Sequence, residues 1–299
     1  MKLSCPNSEC LSNNKNNQNS KNDERFIIKD GSFHRPSDGR VIQRYRCKTC
    51  RKRFSSATFN PAYRQNKRRV NHKLKHYLCS GMSMRRAAKL LGVHQITVAR
   101  KLQFLAAQAR MKQDKFLESL RENRVQNFQF DDLITIEHTK CKPLSVTIAV
   151  EVGTRKLLGL EVSKSPATGH LAAISRLKYG RREDHRAQGI ENLFESIKIA
   201  IAYDAKISSD EHKLYPPRVK KYFPGATHFR HKGRRGCVTG QGELKKQHFD
   251  PLFDINHACA MIRANVHRLI RRTWNTTKRP DRLLDQLLIY MNYHNEILT

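Results

Sequence analysis

Between Gly39 and Gln113 the chain carries twenty Lys and Arg and no Asp or Glu. A compact fold has no internal reason to hold so much one-sided charge, because self-repulsion opposes compaction. The natural counterpart is an external polyanion. Each basic side chain placed on a phosphate releases condensed counterions, which drives binding whatever the base sequence. The stretch also contains a CxxC pair and a pattern of two helices split by a tight turn. It therefore reads as a DNA-binding head, and the remainder of the chain must say what is done to the DNA.

The whole chain agrees with that reading. Its 299 residues carry a net charge of +32, and its pI is about 10.2. This length suits two or three domains. Such basicity favours nucleic acid as partner. An anionic membrane surface would attract it too, but no apolar run approaches the roughly twenty residues that span a bilayer, so no membrane partner is expected. After Met1 and Lys2 comes Cys5-Pro6 and then an Asn-rich run, which is no signal peptide. A cytoplasmic, nucleoid-associated protein is the expectation. In a reducing compartment the eight cysteines are metal ligands or buried thiols rather than disulfides.

Residues 1–60 open with CPNSEC and close with YRCKTCRKRF. Cys5 and Cys10 form one pair, Cys47 and Cys50 the other. Two short-spaced pairs across a long loop suit one closed, structural zinc held by four thiolates. The other reading is four unligated thiols, but so small a module has little core without a metal. The loop holds a polar run from Leu11 to Lys21, then alternating segments that predict two or three strands turning at Asp30-Gly31 and Asp38-Gly39. Cys79, Cys141, Cys237 and Cys259 are scattered and read as buried.

From Asn66 the spacing becomes helical. Val70, Leu74, Tyr77 and Leu78 share a face, and Gly81 ends the helix. Ser83 is a plausible N-cap for SMRRAAKLLG, with Gly92 closing it. VHQITVARKLQFLAAQA follows. Helix, tight Gly turn, helix matches a helix-turn-helix over 61–112. The second helix would reach base edges with His94, Gln95, Thr97 and Arg100, while Arg85 and Arg86 sit on phosphates. The alternative is an ordinary helical hairpin with a solvated basic face. Residues 113–126 read as a helical linker.

At Asn127 the pattern switches to strands. NFQFDDLITIEH, KPLSVTIAVEV and RKLLGLEVSK, with a turn at Gly153, predict an antiparallel meander. A helix over GIENLFESIKIAIAYD, a short strand ending at Asp210, a helix near 216–222, a strand near ATHFRH, a long helix from about Pro251 to Trp274 and a last helix over Asp281–His294 complete a mixed α/β domain, 127–299. Asp is disfavoured in strands, so Asp131 and Asp132 need a reason. A hard cation such as Mg²⁺, held by carboxylates and substrate phosphate oxygens, is one. Two exposed acids on an edge strand are the other.

The order of zinc ribbon, helix-turn-helix, FDDLITIEHTK, SSDEHKLY and a helix ending RANVHRLIRRTW resembles bacterial insertion-sequence transposases of the DDE type, here with both halves in one chain. The resemblance covers nearly the whole length and is loosest over 165–200. It implies an RNase-H-like catalytic domain, divalent Mg or Mn, binding of double-stranded DNA at terminal inverted repeats and at a target, and at least a dimer on DNA. By position the first two catalytic acids, and magnesium ligands, are Asp131 and Asp210, with Tyr215 five residues beyond. The family places a Glu seven residues before an Arg on the last long helix. Counting back from Arg263 gives Asn256, which offers a metal one neutral oxygen and no charge. Asp254 lies about 200° round the helix from it. Asn256, Arg263, His267 and Ile270 follow helical spacing, which would bring Arg263 and His267 to the scissile phosphate; the other reading is a helix that packs through Met261, Ile262, Val266, Leu269 and Ile270 with solvated Arg residues.

HFRHKGRRG (His228–Gly236) reads either as a phosphate-binding loop or as a basic turn. Cys237, His248, His257 and Cys259 are too irregularly spaced to favour a second zinc site. Two functions stand at this point. One is a transposase that cleaves and joins DNA. The other is a transposase-derived DNA-binding protein or repressor, for which Asn256 is the argument. A third, a zinc-ribbon transcription factor, would bring no carboxylates together.

Overall fold

The computed structural model describes residues 3–13, 26–36, 39–232, 250–270 and 277–297. Two compact units make up the chain, Met1–Val70 and Asn71–Thr299.

The first unit carries an antiparallel sheet of β1 (Ile27–Arg35), β2 (Arg40–Cys47) and β3 (Arg53–Ser55), in that order. Gly39, at φ +68, sits where β1 turns into β2; its neighbour Asp38 lies outside the described residues. Asp30-Gly31, expected as a turn, lies inside β1. The pairing slips there, so that residues 30 and 31 face Arg44 alone between the pairs Lys29–Tyr45 and Ser32–Gln43. This is a β-bulge, and it uses Gly31 at φ +72. An Asp-Gly step supplies a left-handed residue to either device. Pairing with β2 on both sides of it decides for the bulge.

The second unit begins with three helices, α1 (Val70–Leu78), α2 (Met84–Leu90) and α3 (Gln95–Ser119). Gly81 and Gly92 stand at φ +68 and +61 in the two turns, a conformation glycine adopts without strain. Ser83 caps α2 by accepting from the Arg86 amide. With no Gly or Pro inside it, α3 runs unbroken to Ser119.

A meander of β4 (Val125–Glu137), β5 (Thr139–Glu151) and β6 (Leu157–Lys164) follows, all antiparallel. Then come α4 (Leu171–Tyr179), α5 (Arg186–Ile197), β7 (Ile201–Asp210), α6 (Tyr215–Tyr222) and β8 (Thr227–His231). The sheet order is β6-β5-β4-β7-β8. β7 runs parallel to β4, and β8 parallel to β7. The helix expected to reach Asp204 ends at Ile197, and IAYDAKISSD is strand. Ile201, Ala202, Ala205 and Ile207 are buried in that strand, so pairing with β4 overrides a local sequence that reads equally well as helix.

Among the described residues two more helices follow, α7 (Phe253–Asn265) and α8 (Pro280–Ile297). The sequence predicts one helix from Pro251 to Trp274, yet α7 stops at Asn265. Val266 is extended (φ −97, ψ 103), and a short 3-10 turn covers His267–Leu269. The Asn265 carbonyl accepts from the Gly81 amide at 2.7 Å, and His267 Nδ1 lies 2.8 Å from the Gly81 carbonyl. These links to the α1–α2 turn replace the helix ladder. Trp274 lies outside the described residues.

Apolar side chains cover both faces of the sheet. On one, Leu133, Val146 and Ile148 pack with Leu74, Leu102, Ile255, Ile262 and Leu287 of the flanking helices. On the other, Phe128, Phe130 and Leu158 pack with Phe194, Tyr215 and Val219. Gln113 donates to the Leu158 carbonyl at 2.7 Å and fastens α3 to β6. No described helix is long and apolar enough to cross a membrane.

Candidate functional site

The four cysteine sulfurs of the first unit all lie within 4.8 Å of one another. Cys5 and Cys50 are 3.4 Å apart and Cys10 and Cys47 3.7 Å. A disulfide would need about 2.05 Å. A tetrahedral zinc with bonds of about 2.3 Å has sulfur–sulfur edges of roughly 3.8 Å. The buried Cys5, Cys10 and Cys47 and the half-buried Cys50 pack on one another. Local bonds hold this cage. The Cys47 amide donates to the Lys52 carbonyl at 3.0 Å. Asn13 donates to the carbonyls of Cys5 and Asn7, and the Ser12 and Thr49 hydroxyls meet at 2.5 Å across the two cysteine loops. These cysteines can hold a metal such as zinc. Among the described residues no other His, Cys, Asp and Glu group converges so closely. Burial pushes the Cys79 and Cys259 thiols up to about 12, the state of inert core cysteines. Cys237, His248 and residues 233–236 of HFRHKGRRG lie outside the described residues, and its His228–His231 are strand β8 rather than loop or turn.

The second constellation lies in the sheet of the other unit. Phe128 pairs with Ile207 and Gln129 with Ser208. The pairing ends there; two residues further along the same two strands come Asp131 and Asp210, and Asp131 lies in the field of Asp210. Side chains alternate along a strand, so Asp132 faces the opposite side. There it accepts from the Thr147 hydroxyl at 2.6 Å, directly opposite on β5. Asp131 Oδ1 accepts from the Asp132 amide at 2.7 Å and from the Tyr215 hydroxyl at 3.5 Å. Asp210 turns back on its own chain and accepts from the His212 amide at 2.9 Å.

The electrostatics follow from burial. Burial raises the Asp131 pKa to about 7, and the charges of Asp210 and Asp132 add to the rise against the Asp132 amide and the Tyr215 hydroxyl. Burial raises Asp132 too, opposed by Thr147 and by the positive field of His212 and Arg186. Burial and all three carboxylates push the Tyr215 phenol far up, so it stays a donor. The result is a concentration of negative charge inside a strongly basic chain.

Helix α7 reaches this sheet through Gln129. That side chain accepts from the Ile255 amide at 3.0 Å and donates to the Pro251 carbonyl at 2.9 Å. Asn256, in the first turn, is exposed and donates to Asp250 at 2.8 Å. Asp254 instead accepts from the Gly153 amide and pairs with Arg155, at the β5–β6 turn. One turn past Asn256, the buried Cys259 lies in the field of Asp131 and of the half-buried Arg263. His267 lies beyond the end of the helix, bonded to Gly81, so the helical spacing that would align it with Asn256 is interrupted at Val266.

Along α2 and α3, Arg85, Arg86, His94, Gln95 and Arg100 are exposed and Thr97 is half-buried. His94 Nδ1 accepts from the Ile96 amide at 3.3 Å and caps α3. Thr147 and Arg186 are neighbours of the carboxylates that the sequence does not single out. Thr147 is one of two buried hydroxyls, with Ser145, in β5 and carries no sequence mark that separates it; Arg186, far along the chain, has none. No protein-family model matches the chain, and no curated protein matches it.

Proposed function

We propose that this chain is a transposase of an insertion sequence, binding the terminal inverted repeats of its element and carrying out metal-dependent cleavage and strand transfer. The observation that carries the reading is that Asp131 and Asp210 each lie two residues beyond the last paired positions of two neighbouring parallel strands and that Asp131 feels the Asp210 charge. The sheet supports an RNase-H-like domain: an antiparallel meander extended by two strands parallel to its first. The exposed basic residues of α2 and α3 support DNA binding through a helix-turn-helix. The four-cysteine cage supports a zinc ribbon ahead of it. That Asp131 and Asp210 share a field weighs against a transcription factor with an idle second unit.

In this reading Asp131 and Asp210 hold magnesium or manganese, with Asn256 at the third position. The ion, when bound, polarises phosphodiester oxygens and activates water or a 3′ hydroxyl. Tyr215 donates to Asp131 and fixes its orientation, and Thr147 does the same for Asp132. Half-burial of Asp131 and Asp132 limits the screening of their charge by solvent. A second reading, a DNA-binding protein or repressor without cleavage, rests on Asn256, whose neutral amide is engaged with Asp250.

Both are tested on duplexes carrying the inverted repeats that flank the gene. Mg²⁺- or Mn²⁺-dependent 3′-end nicking is expected from the native chain and not from Asp131→Ala or Asp210→Ala. Nicking that survives Asp131→Ala removes the metal site. No nicking by the native chain, but nicking by Asn256→Glu, establishes the binding-only protein. Duplex affinity should fall with salt at a log–log slope of about −0.9 per phosphate contacted.

A further inference from the structure

A cleft of about 350 Å³ lies within the first unit, between its sheet and the segment that follows β3. Phe33, Tyr63, Arg44, Arg53, Arg64 and Arg68 line it, and the lining holds no Asp or Glu. Phe33 and Tyr63 are 36% and 43% exposed. Each carries a guanidinium on its ring. Arg44 lies 5.2 Å from the Phe33 centroid and Arg64 5.4 Å from that of Tyr63. Arg64 and Lys67 have φ of +61 and +52, a conformation that costs a residue with a Cβ free energy and gathers at functional positions. Arg53 draws some compensation from Asp30, outside the lining, at 2.8 Å.

We propose that this cleft is a second nucleic-acid site, taking one unpaired nucleotide of a DNA strand. The base stacks on Phe33 or Tyr63 and the flanking phosphates sit on the arginines. The proposal rests on the DNA-binding reading given above and adds to it a site outside the helix-turn-helix and a preference for unpaired bases. The rings decide the occupant. A duplex presents phosphates to a surface groove and keeps its base faces stacked, so it would use the arginines and leave the rings idle. An acidic peptide would also need only the charge. A base has a π-face that stacks on an aromatic ring whatever its identity. The volume lies at the small-ligand end of binding pockets, enough for one nucleotide and too small for a helix.

The test uses the zinc-loaded full chain and fluorescence anisotropy with two labelled probes, an oligothymidylate of about 12 nucleotides and a blunt duplex. Phe33→Ala combined with Tyr63→Ala should weaken oligothymidylate binding at least about fivefold, the lower bound for losing one stacked base, and leave duplex binding unchanged. Tyr63→Phe should bind like the native chain. Arg44→Gln, which leaves both rings in place, should weaken oligothymidylate binding and flatten its salt dependence. Gln95→Ala with Arg100→Ala should do the reverse, sparing the oligothymidylate and weakening the duplex. Unchanged zinc content shows that the first-unit variants keep their fold, and an unchanged Tm shows it for Gln95→Ala with Arg100→Ala. Unchanged oligothymidylate affinity in the ring variant overturns the proposal. So does an equal fall for both probes, or displacement of the oligothymidylate by polyglutamate as readily as by DNA. A native chain that binds duplex but no single strand sinks this site alone, whereas one that binds neither sinks the DNA-binding reading itself.

Discussion

Glu296, on the last helix, accepts from Lys112 on α3 at 2.8 Å and pairs also with Lys75 on α1. Two cations of the acid-free stretch thus obtain their counter-charge from the far end of the chain. Glu296→Gln should cost about 1 kcal/mol, since exposed pairs contribute roughly 0.2–1 kcal/mol each, and lower Tm by about 2–4 °C. Burial raises the Glu296 pKa, but the bonds from Lys112 and Lys75 outweigh it and the net shift is downward. The stabilisation is therefore complete above the ordinary Glu value of about 4.3 and disappears as pH falls through the lower folded value. Native and Glu296→Gln melting curves should converge in acid. A gap that persists there would assign the effect to packing.

The cysteine cage makes a separable prediction. A structural zinc contributes on the order of 10 kcal/mol to the folding of a small module. Chelation, or Cys47→Ser, should remove the metal and expose the amides of β1 to β3 to hydrogen exchange. The protection of β4 and β5 should be untouched, because their core is built from other residues. Retention of one zinc per chain by Cys47→Ser would refute the four-thiolate assignment.

Gly189 marks the closest approach of α5 to the sheet. A Cβ built there would lie 1.8 Å from Ser163 Oγ and 3.1 Å from its Cβ. Alanine in a helix interior is ordinarily better than glycine by about 0.5–1 kcal/mol. Here overpacking should win and Gly189→Ala should destabilise by about 1–3 kcal/mol. Ser163→Ala in the same chain should recover part of the loss, since the 1.8 Å contact goes and the 3.1 Å one stays. Urea unfolding of both variants measures this. A more stable Gly189→Ala would mean that α5 sits off β6 in solution.

Features written in local spacing were legible before any coordinates: the paired cysteines, the turns at Gly81, Gly92 and Gly153, the meander, and a polar pair inside an apolar strand. What escaped depends on contacts made far along the chain. Nothing in FESIKIAIAYD marks where α5 gives way to β7, because the strand is decided by its neighbour β4. Nothing near Val266 announces a break; the break comes from bonds to Gly81. The Asp30-Gly31 step fits a turn or a bulge, and β2 chooses. In the candidate site, Asp131 and Asp210 can be singled out from the sequence. The hydroxyl of Thr147 and the anchoring of α7 by Gln129 are tertiary facts with no local signature.

The raised pKa of Asp131 makes the strongest prediction about the proposed metal. An acid whose folded pKa, about 7, exceeds its unfolded value of about 3.9 favours the fold while protonated. That contribution is complete below pH 4, shrinks as pH rises towards 7 and stays lost above it. Without divalent cation, Tm should therefore decline across this window, and Asp131→Asn should remove this part of the decline. A cation held by Asp131 and Asp210 binds the ionised form, so Mg²⁺ should raise Tm at pH 8 and do almost nothing at pH 5. At a hundred times its Kd a ligand adds about 2.7 kcal/mol, which for a unit of this size is roughly 5–10 °C at about 2–4 °C per kcal/mol. Differential scanning fluorimetry at the two pH values, on the native chain and on Asp131→Asn, gives the answer. An equal Mg²⁺ effect at pH 5 and pH 8, or one that survives Asp131→Asn, would place the ion elsewhere and leave the carboxylates of β4 and β7 without their proposed ligand.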